Sequence, residues 1–191
     1  MNFELWIKIG VLILLVLFFI FRSRFTSHYK KFTYRTWIKY PIIGGVLVLY
    51  LFDFLKFGNF YLNHFVRLFV GFPLLLGGMI LFFWAHYHLG NNWSPIIEKK
   101  FTKSRALIKT GPYRFIRHPI YSASFIVLLG LGIITSNWLF AGAFFVILFL
   151  FYLYKISKEE DELIRNFGED YKQYMIETWR LFPRLYLFSK R

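Results

Sequence analysis

Five apolar stretches, over residues 3–21, 40–55, 65–87, 121–135 and 138–154, constrain this 191-residue chain more than any other feature. A helix needs about 20 apolar residues to cross a bilayer, and the first and third stretches meet that length. The last two are short and joined only by Ser136-Asn137, so a tight antiparallel hairpin is expected there rather than two independent spans. The chain is 57% hydrophobic and 24% aromatic, beyond what a water-soluble domain carries. The predicted fold class is all-α: a multi-pass transmembrane helix bundle of about five spans, with a short C-terminal helical hairpin and a cytosolic C-terminal helix. No basic segment precedes the first stretch and no small-residue cleavage site follows it, so it is not read as a signal peptide.

The net charge of +14 raises the question of nucleic acid, and its placement answers it. Of the 24 basic residues, 21 fall between the first and second stretches, between the third and fourth, or after the fifth. Five spans put all of these on one side, leaving Lys8, Lys56 and Arg67 for the other. The positive-inside rule then predicts an outside N-terminus and a cytoplasmic C-terminus. The charge is read as topology and attraction to anionic headgroups, with no nucleic-acid partner. Cysteine is absent, which excludes disulfides, thiolate nucleophiles and cysteine-ligated metals. Without a long linker or a repeat, residues 1–191 are expected to form a single integral membrane domain, with an N-terminal three-span part (1–88) and a polar, chemistry-bearing part (89–191).

That second part holds the charged clusters. The run from Gly111 through Pro112, Tyr113, Arg114, Arg117, His118 and Pro119 to Tyr121 immediately precedes an uncharged segment. Pro119 suits the first position of a helix and leaves backbone donors free at its positive end, a setting for an anion such as a carboxylate. His118, Tyr121 and Ser122 then lie on neighbouring faces of one turn. The competing role is interfacial anchoring and capping. Glu159-Glu160-Asp161-Glu162 is the chain's acidic cluster, and its plain alternative is a solvated first helical turn. From Leu163, the spacing of Ile164, Phe167, Tyr171, Tyr174 and Met175 predicts an amphipathic helix, interrupted near Gly168. If the hairpin folds back, both clusters meet at one face of the bilayer. His86 and His88 are two apart and face different ways on a helix, so no metal site is expected; His28 and His64 are isolated. No GxGxxG, Walker or nucleophile-elbow sequence is present.

In order and spacing these pieces resemble the superfamily of isoprenylcysteine carboxyl methyltransferases and phospholipid methyltransferases. The matching elements are Leu89-Gly90 with Trp93, Gly111 to Arg114, Arg117 to Tyr121, Glu159-Glu160, Phe167 to Tyr171 with Tyr174, and Arg180 with Pro183. The resemblance covers about half of the chain. It implies S-adenosylmethionine as cofactor, without a Rossmann domain, and methyl transfer to a lipophilic or lipid acceptor through O, N or S. By the same resemblance, Gly111, Tyr113, Arg117, His118, Pro119, Tyr121, Glu159 and Glu160 bind the cofactor. Arg117, His118 and the helix start would take its carboxylate, a glutamate its ribose, amino group or sulfonium, and Tyr113 and Tyr121 its adenine or its cation. Arg180 and Arg117 are the candidate catalytic residues, Arg180 orienting the acceptor; no metal is required. The bacterial-type pattern implies a bacterial inner membrane.

Two departures bear on the substrate. Ala123 replaces a frequent family glycine and predicts a looser helix approach; Glu177 replaces an arginine common in the eukaryotic enzymes, which disfavours a carboxylate acceptor. The competing functions are a nicotinamide-dependent membrane reductase of sterol-like substrates and a non-enzymatic lipid-binding scaffold.

Overall fold

The structure is a computed structural model that describes residues 9–14, 16, 17, 60–90 and 106–182. The apolar stretch 40–55, His28, Trp93 and Pro183 lie outside the described residues. The chain forms two compact units, Met1–Asn59 and Phe60–Arg191. In the first unit, the described residues are helical.

The second unit is built from α1 (His64–Leu89), α2 (Pro119–Thr135), α3 (Trp138–Phe167) and α4 (Glu169–Glu177). Among the described residues there is no strand; Ile116 and Trp179 form an isolated parallel bridge. The 26 residues of α1 are long and apolar enough to cross a membrane. Asn63 caps its start, its side chain accepting from Phe65 N at 3.0 Å. Residues Arg67–Gly71 widen into a π turn, and the helix resumes with Pro73 in its first turn. Inside an unbroken ladder, that proline would lack a donor and clash with the preceding turn.

α1 packs closely on α2 because glycines let the backbones touch. A Cβ on Gly130 would stand 2.5 Å from Leu75 N, and one on Gly78 would stand 2.8 Å from Val127 N and 3.1 Å from Ala123 O. In a membrane, where lipid is as apolar as a side chain, such close approach supplies the packing attraction that burial from water supplies elsewhere. The looser approach expected at Ala123 is not found. Its side chain is fully buried, and Gly78 of the facing helix provides the missing space.

The far end of the hairpin is tied by a buried cation. Arg67, 6% exposed, donates from Nε to Ile134 O at 2.8 Å, taking up a carbonyl at the end of α2. Phe60 N donates to Ser136 O at 2.9 Å. Ser136 ends α2 in the left-handed conformation (φ 52°) and Asn137 completes the two-residue connection. The tight hairpin predicted from residues 121–154 is therefore present.

α3 differs from expectation in length. It runs unbroken for 30 residues, about 45 Å at 1.5 Å each, and carries Glu159 to Glu162 well inside it. The acidic cluster is not the first turn of a separate helix, and the N-terminal dipole has no part in stabilising it. The break falls at Gly168, where φ is +56°, and α4 follows with Tyr171 and Tyr174 buried.

After α4 the chain returns as an extended strap over residues 178–182. Arg117 N donates to Trp179 O at 2.7 Å, His118 N to Arg180 O at 3.0 Å, and Trp179 N to Phe115 O at 3.3 Å. Ser122 Oγ donates to Leu181 O. The strap lies across the start of α2, at the end of the hairpin opposite Arg67.

Candidate active site

Gly111 begins the approach to the site with φ +59°, a conformation that favours glycine, and opens a 3-10 turn over Gly111–Arg114. The His88 ring sits where a Cβ would be, 2.3 Å away, so a side chain here is doubly excluded. His88 Nδ1 also lies 3.2 Å from Thr110 Oγ1, while His86 Nδ1 lies 3.0 Å from Phe82 O. Both histidines are engaged locally, and no group of His, Asp and Glu that could hold a metal occurs among the described residues. The turn buries Pro112 and Tyr113, and the Tyr174 hydroxyl donates to Tyr113 O at 2.5 Å. α4 is thereby fastened to the loop in front of α2.

Glu160 is the electrostatic centre. It is 2% exposed and accepts from Arg117 Nε at 2.9 Å and from Arg180 Nε at 2.8 Å, one guanidinium at each oxygen. His118 Nε2 stands 3.4 Å from the Arg117-bound oxygen. Arg117 reaches further, donating from Nη1 to Met175 O at 2.9 Å and to Thr178 O. It thus pins α3, α4 and the strap together. Burial pushes the Glu160 carboxyl up, but the hydrogen bonds from His118, Arg180 and Arg117 outweigh it and hold the group down at about 2.

Glu159 faces a different set of partners. It accepts from the Tyr121 hydroxyl at 2.7 Å, and the same oxygen lies 3.8 Å from Lys155 Nζ; its other oxygen is 3.7 Å from His118 Nδ1. The two nitrogens of His118 therefore address the two adjacent carboxylates. Tyr121 stacks on Tyr152 (ring centroids 4.3 Å apart) and on His118 (5.6 Å), and the Lys155 ammonium lies 5.3 Å from its ring centre. Burial first, then the neighbouring Tyr174 and Glu159, push the Tyr113 hydroxyl well above its usual range, so it stays protonated.

Of the residues singled out in the sequence, Arg117, His118, Tyr121, Glu159, Glu160 and Arg180 form one continuous polar network at the mouth of the α2–α3 hairpin. Gly111 and Pro119 shape the backbone around it, Pro119 as the buried first residue of α2. The N–H groups of Arg117 and His118 are taken by strap carbonyls, and those of Tyr121 and Ser122 by His118 O. Arg117 and Arg180 share one carboxylate, although the sequence suggests separate duties for them.

Lys155, Tyr152 and the carbonyls of Met175 and Thr178 were not legible as members of the site. A signal for the first two exists: residues 152, 155 and 159 recur at helical spacing, which a single continuous α3 brings to one face. Backbone carbonyls carry no residue-type signal.

Residues 66–170, more than half of the chain, match the family described as Phospholipid methyltransferase. The chain belongs to that family. It is also similar to the protein-S-isoprenylcysteine O-methyltransferase of Schizosaccharomyces pombe, 33% identical over 90 residues that make up 47% of this chain and 38% of that one. The nickel-cobalt-cadmium resistance protein NccN of Alcaligenes xylosoxydans xylosoxydans is 40% identical over 86 residues, 45% of this chain and 40% of that one. Both matches thus span about two fifths of the relative's own length. Among solved structures, the eukaryotic intramembrane Ras methyltransferase, isoprenylcysteine carboxyl methyltransferase, superposes with a TM-score of 0.60 at 22% identity, over 86% of this chain and 57% of that chain. This likeness is one of fold.

Proposed function

We propose that this protein transfers a methyl group from S-adenosylmethionine to a lipophilic or amphiphilic acceptor at the cytosolic face of a membrane. The observation that carries the reading is the placement of a positive charge. The Lys155 ammonium rests by Glu159 and by the buried ring of Tyr121, an acidic and aromatic pair whose chemistry suits a cation. Membership of a methyltransferase family supplies the reaction class.

When bound, the donor supplies a methyl group already activated by its positive sulfur. The chain's task is then to bind, orient and exclude water. Glu159, with Tyr121 beside it, holds positive charge. Tyr113, kept protonated, offers a hydroxyl near Glu159. Arg117 and His118 keep Glu160 ionised and stationary, which fixes the strap that carries Arg180. The side chain of Arg180 is half exposed, which supports a role for it in meeting an anionic portion of the acceptor. The names of the relatives make an isoprenylcysteine-carboxylate-like or phospholipid-like acceptor the first to test. The distribution of basic residues supports a site on the cytosolic side, with the N-terminus outside.

Titration of the detergent-solubilised protein with S-adenosylmethionine and with its demethylated product tests donor use. Incubation with lipid extracts and methyl-labelled donor tests the acceptor. Saturable binding and a labelled lipid product are expected; absence of both overturns the proposal.

A further inference from the structure

Lys155 occupies the position that the proposed reading assigns to the guest. Its Nζ lies 5.3 Å from the Tyr121 ring centre and 3.8 Å from Glu159 Oε1, the oxygen that also accepts from Tyr121. A Lys–Glu pair four residues apart on an open helix face contributes little and constrains nothing. This pair is different because it points into the network. The other Glu159 oxygen faces His118, and Tyr152 and His118 stack on the Tyr121 ring, so Lys155 engages the same ring and carboxylate oxygen that a cationic guest would use.

From this geometry we propose that Lys155 is a specificity-determining residue: an internal cation that competes with a positively charged guest for Tyr121 and Glu159, and so weights the site toward uncharged guests. Two like charges a few ångströms apart disfavour each other. A sulfonium can take the place only when the ammonium swings out to water, which the flexible four-carbon stem of lysine permits. A neutral thioether of the same shape needs no such displacement. The demethylated product is held more readily than the charged donor, and Lys155 builds product inhibition into the site. The inference rests on the proposed donor, and it goes beyond it by assigning the discrimination between donor and product to one side chain.

The test uses the full-length protein in detergent, with S-adenosylmethionine and S-adenosylhomocysteine as probes and calorimetric titration as the readout. Lys155→Met is expected to lower the ratio of the two dissociation constants, donor over product, by about tenfold, chiefly through tighter donor binding. Lys155→Gln, which keeps an extended stem, is expected to act in the same direction, and Lys155→Arg to preserve the wild-type ratio. Thermal unfolding of each ligand-free variant establishes that it is folded. An unchanged ratio in both neutral variants, or an equal loss of affinity for both compounds, overturns the role of Lys155 while leaving the donor assignment standing. A wild-type protein that binds neither compound overturns the donor assignment itself.

Discussion

The Tyr121 hydroxyl donates to Glu159 at 2.7 Å, joining the first turn of α2 to the charged length of α3 across 38 residues of chain. This bond brings an aromatic ring and a carboxylate to one point, the pair to which the proposed function assigns the donor's positive charge. Tyr121→Phe keeps the ring and removes the bond. Donor binding is expected to weaken roughly five- to tenfold, with the ligand-free melting temperature little changed. Calorimetric titration of the variant checks this, and unaltered affinity removes Tyr121 from the site.

Glu160 holds two guanidinium groups, and its removal leaves Arg117 charged and buried without its anion. Glu160→Gln is expected to cost about 3 kcal/mol. The pH dependence follows from the same group. Its carboxyl sits at about 2 in the folded protein against 4.5 for the free group, so its contribution is complete above about pH 4.5. That contribution is lost as the pH falls from 4.5 toward 2, because the unfolded chain binds the proton first. Unfolding followed in detergent from pH 7 to pH 3 is expected to show this fall in the wild type and a shallower one in the variant.

Gly130 and Gly142 both lie in helices, yet their neighbours differ. A Cβ on Gly130 meets the α1 backbone at 2.5 Å, whereas one on Gly142 meets nothing within 4 Å among the described residues. Gly130→Ala is expected to destabilise by about 1–3 kcal/mol, since backbone atoms cannot step aside. Gly142→Ala is expected to be neutral or to stabilise by up to about 1 kcal/mol through helix propensity. Parallel melting curves decide the matter; equal effects would contradict the close α1–α2 contact.

Tyr171 is 1% exposed, and its hydroxyl has no hydrogen-bond partner among the described residues. Tyr171→Phe removes a buried polar group while keeping the ring that packs edge-on to Tyr174 at 5.8 Å. The ligand-free protein is expected to be unchanged or stabilised by about 1 kcal/mol. A large loss of stability in thermal unfolding would show that the hydroxyl has a partner in the folded molecule.

The helical hairpin at residues 121–154 was legible because two apolar runs separated by Ser136-Asn137 admit few other arrangements in a membrane. The third apolar stretch was equally plain, and its helix is observed as α1. The π turn before Pro73 and the glycine contacts beneath Ala123 were not, since both depend on which helix faces which. The clusters at Arg117-His118 and Glu159-Glu160 stood out by residue type, and folding the hairpin was enough to predict that they meet.

Apolar length and the spacing of charges point to the helical class, the hairpin and the end of it where the charged clusters gather, because these follow from what a bilayer tolerates in any chain. The partners within the site required the folded chain. Arg117 and Arg180 converge on Glu160 rather than serving separate guests, Lys155 takes the place beside Tyr121, and carbonyls of the strap cover the start of α2. Each of these arises from distances between segments far apart in the chain, and local residue pattern carries no record of such distances.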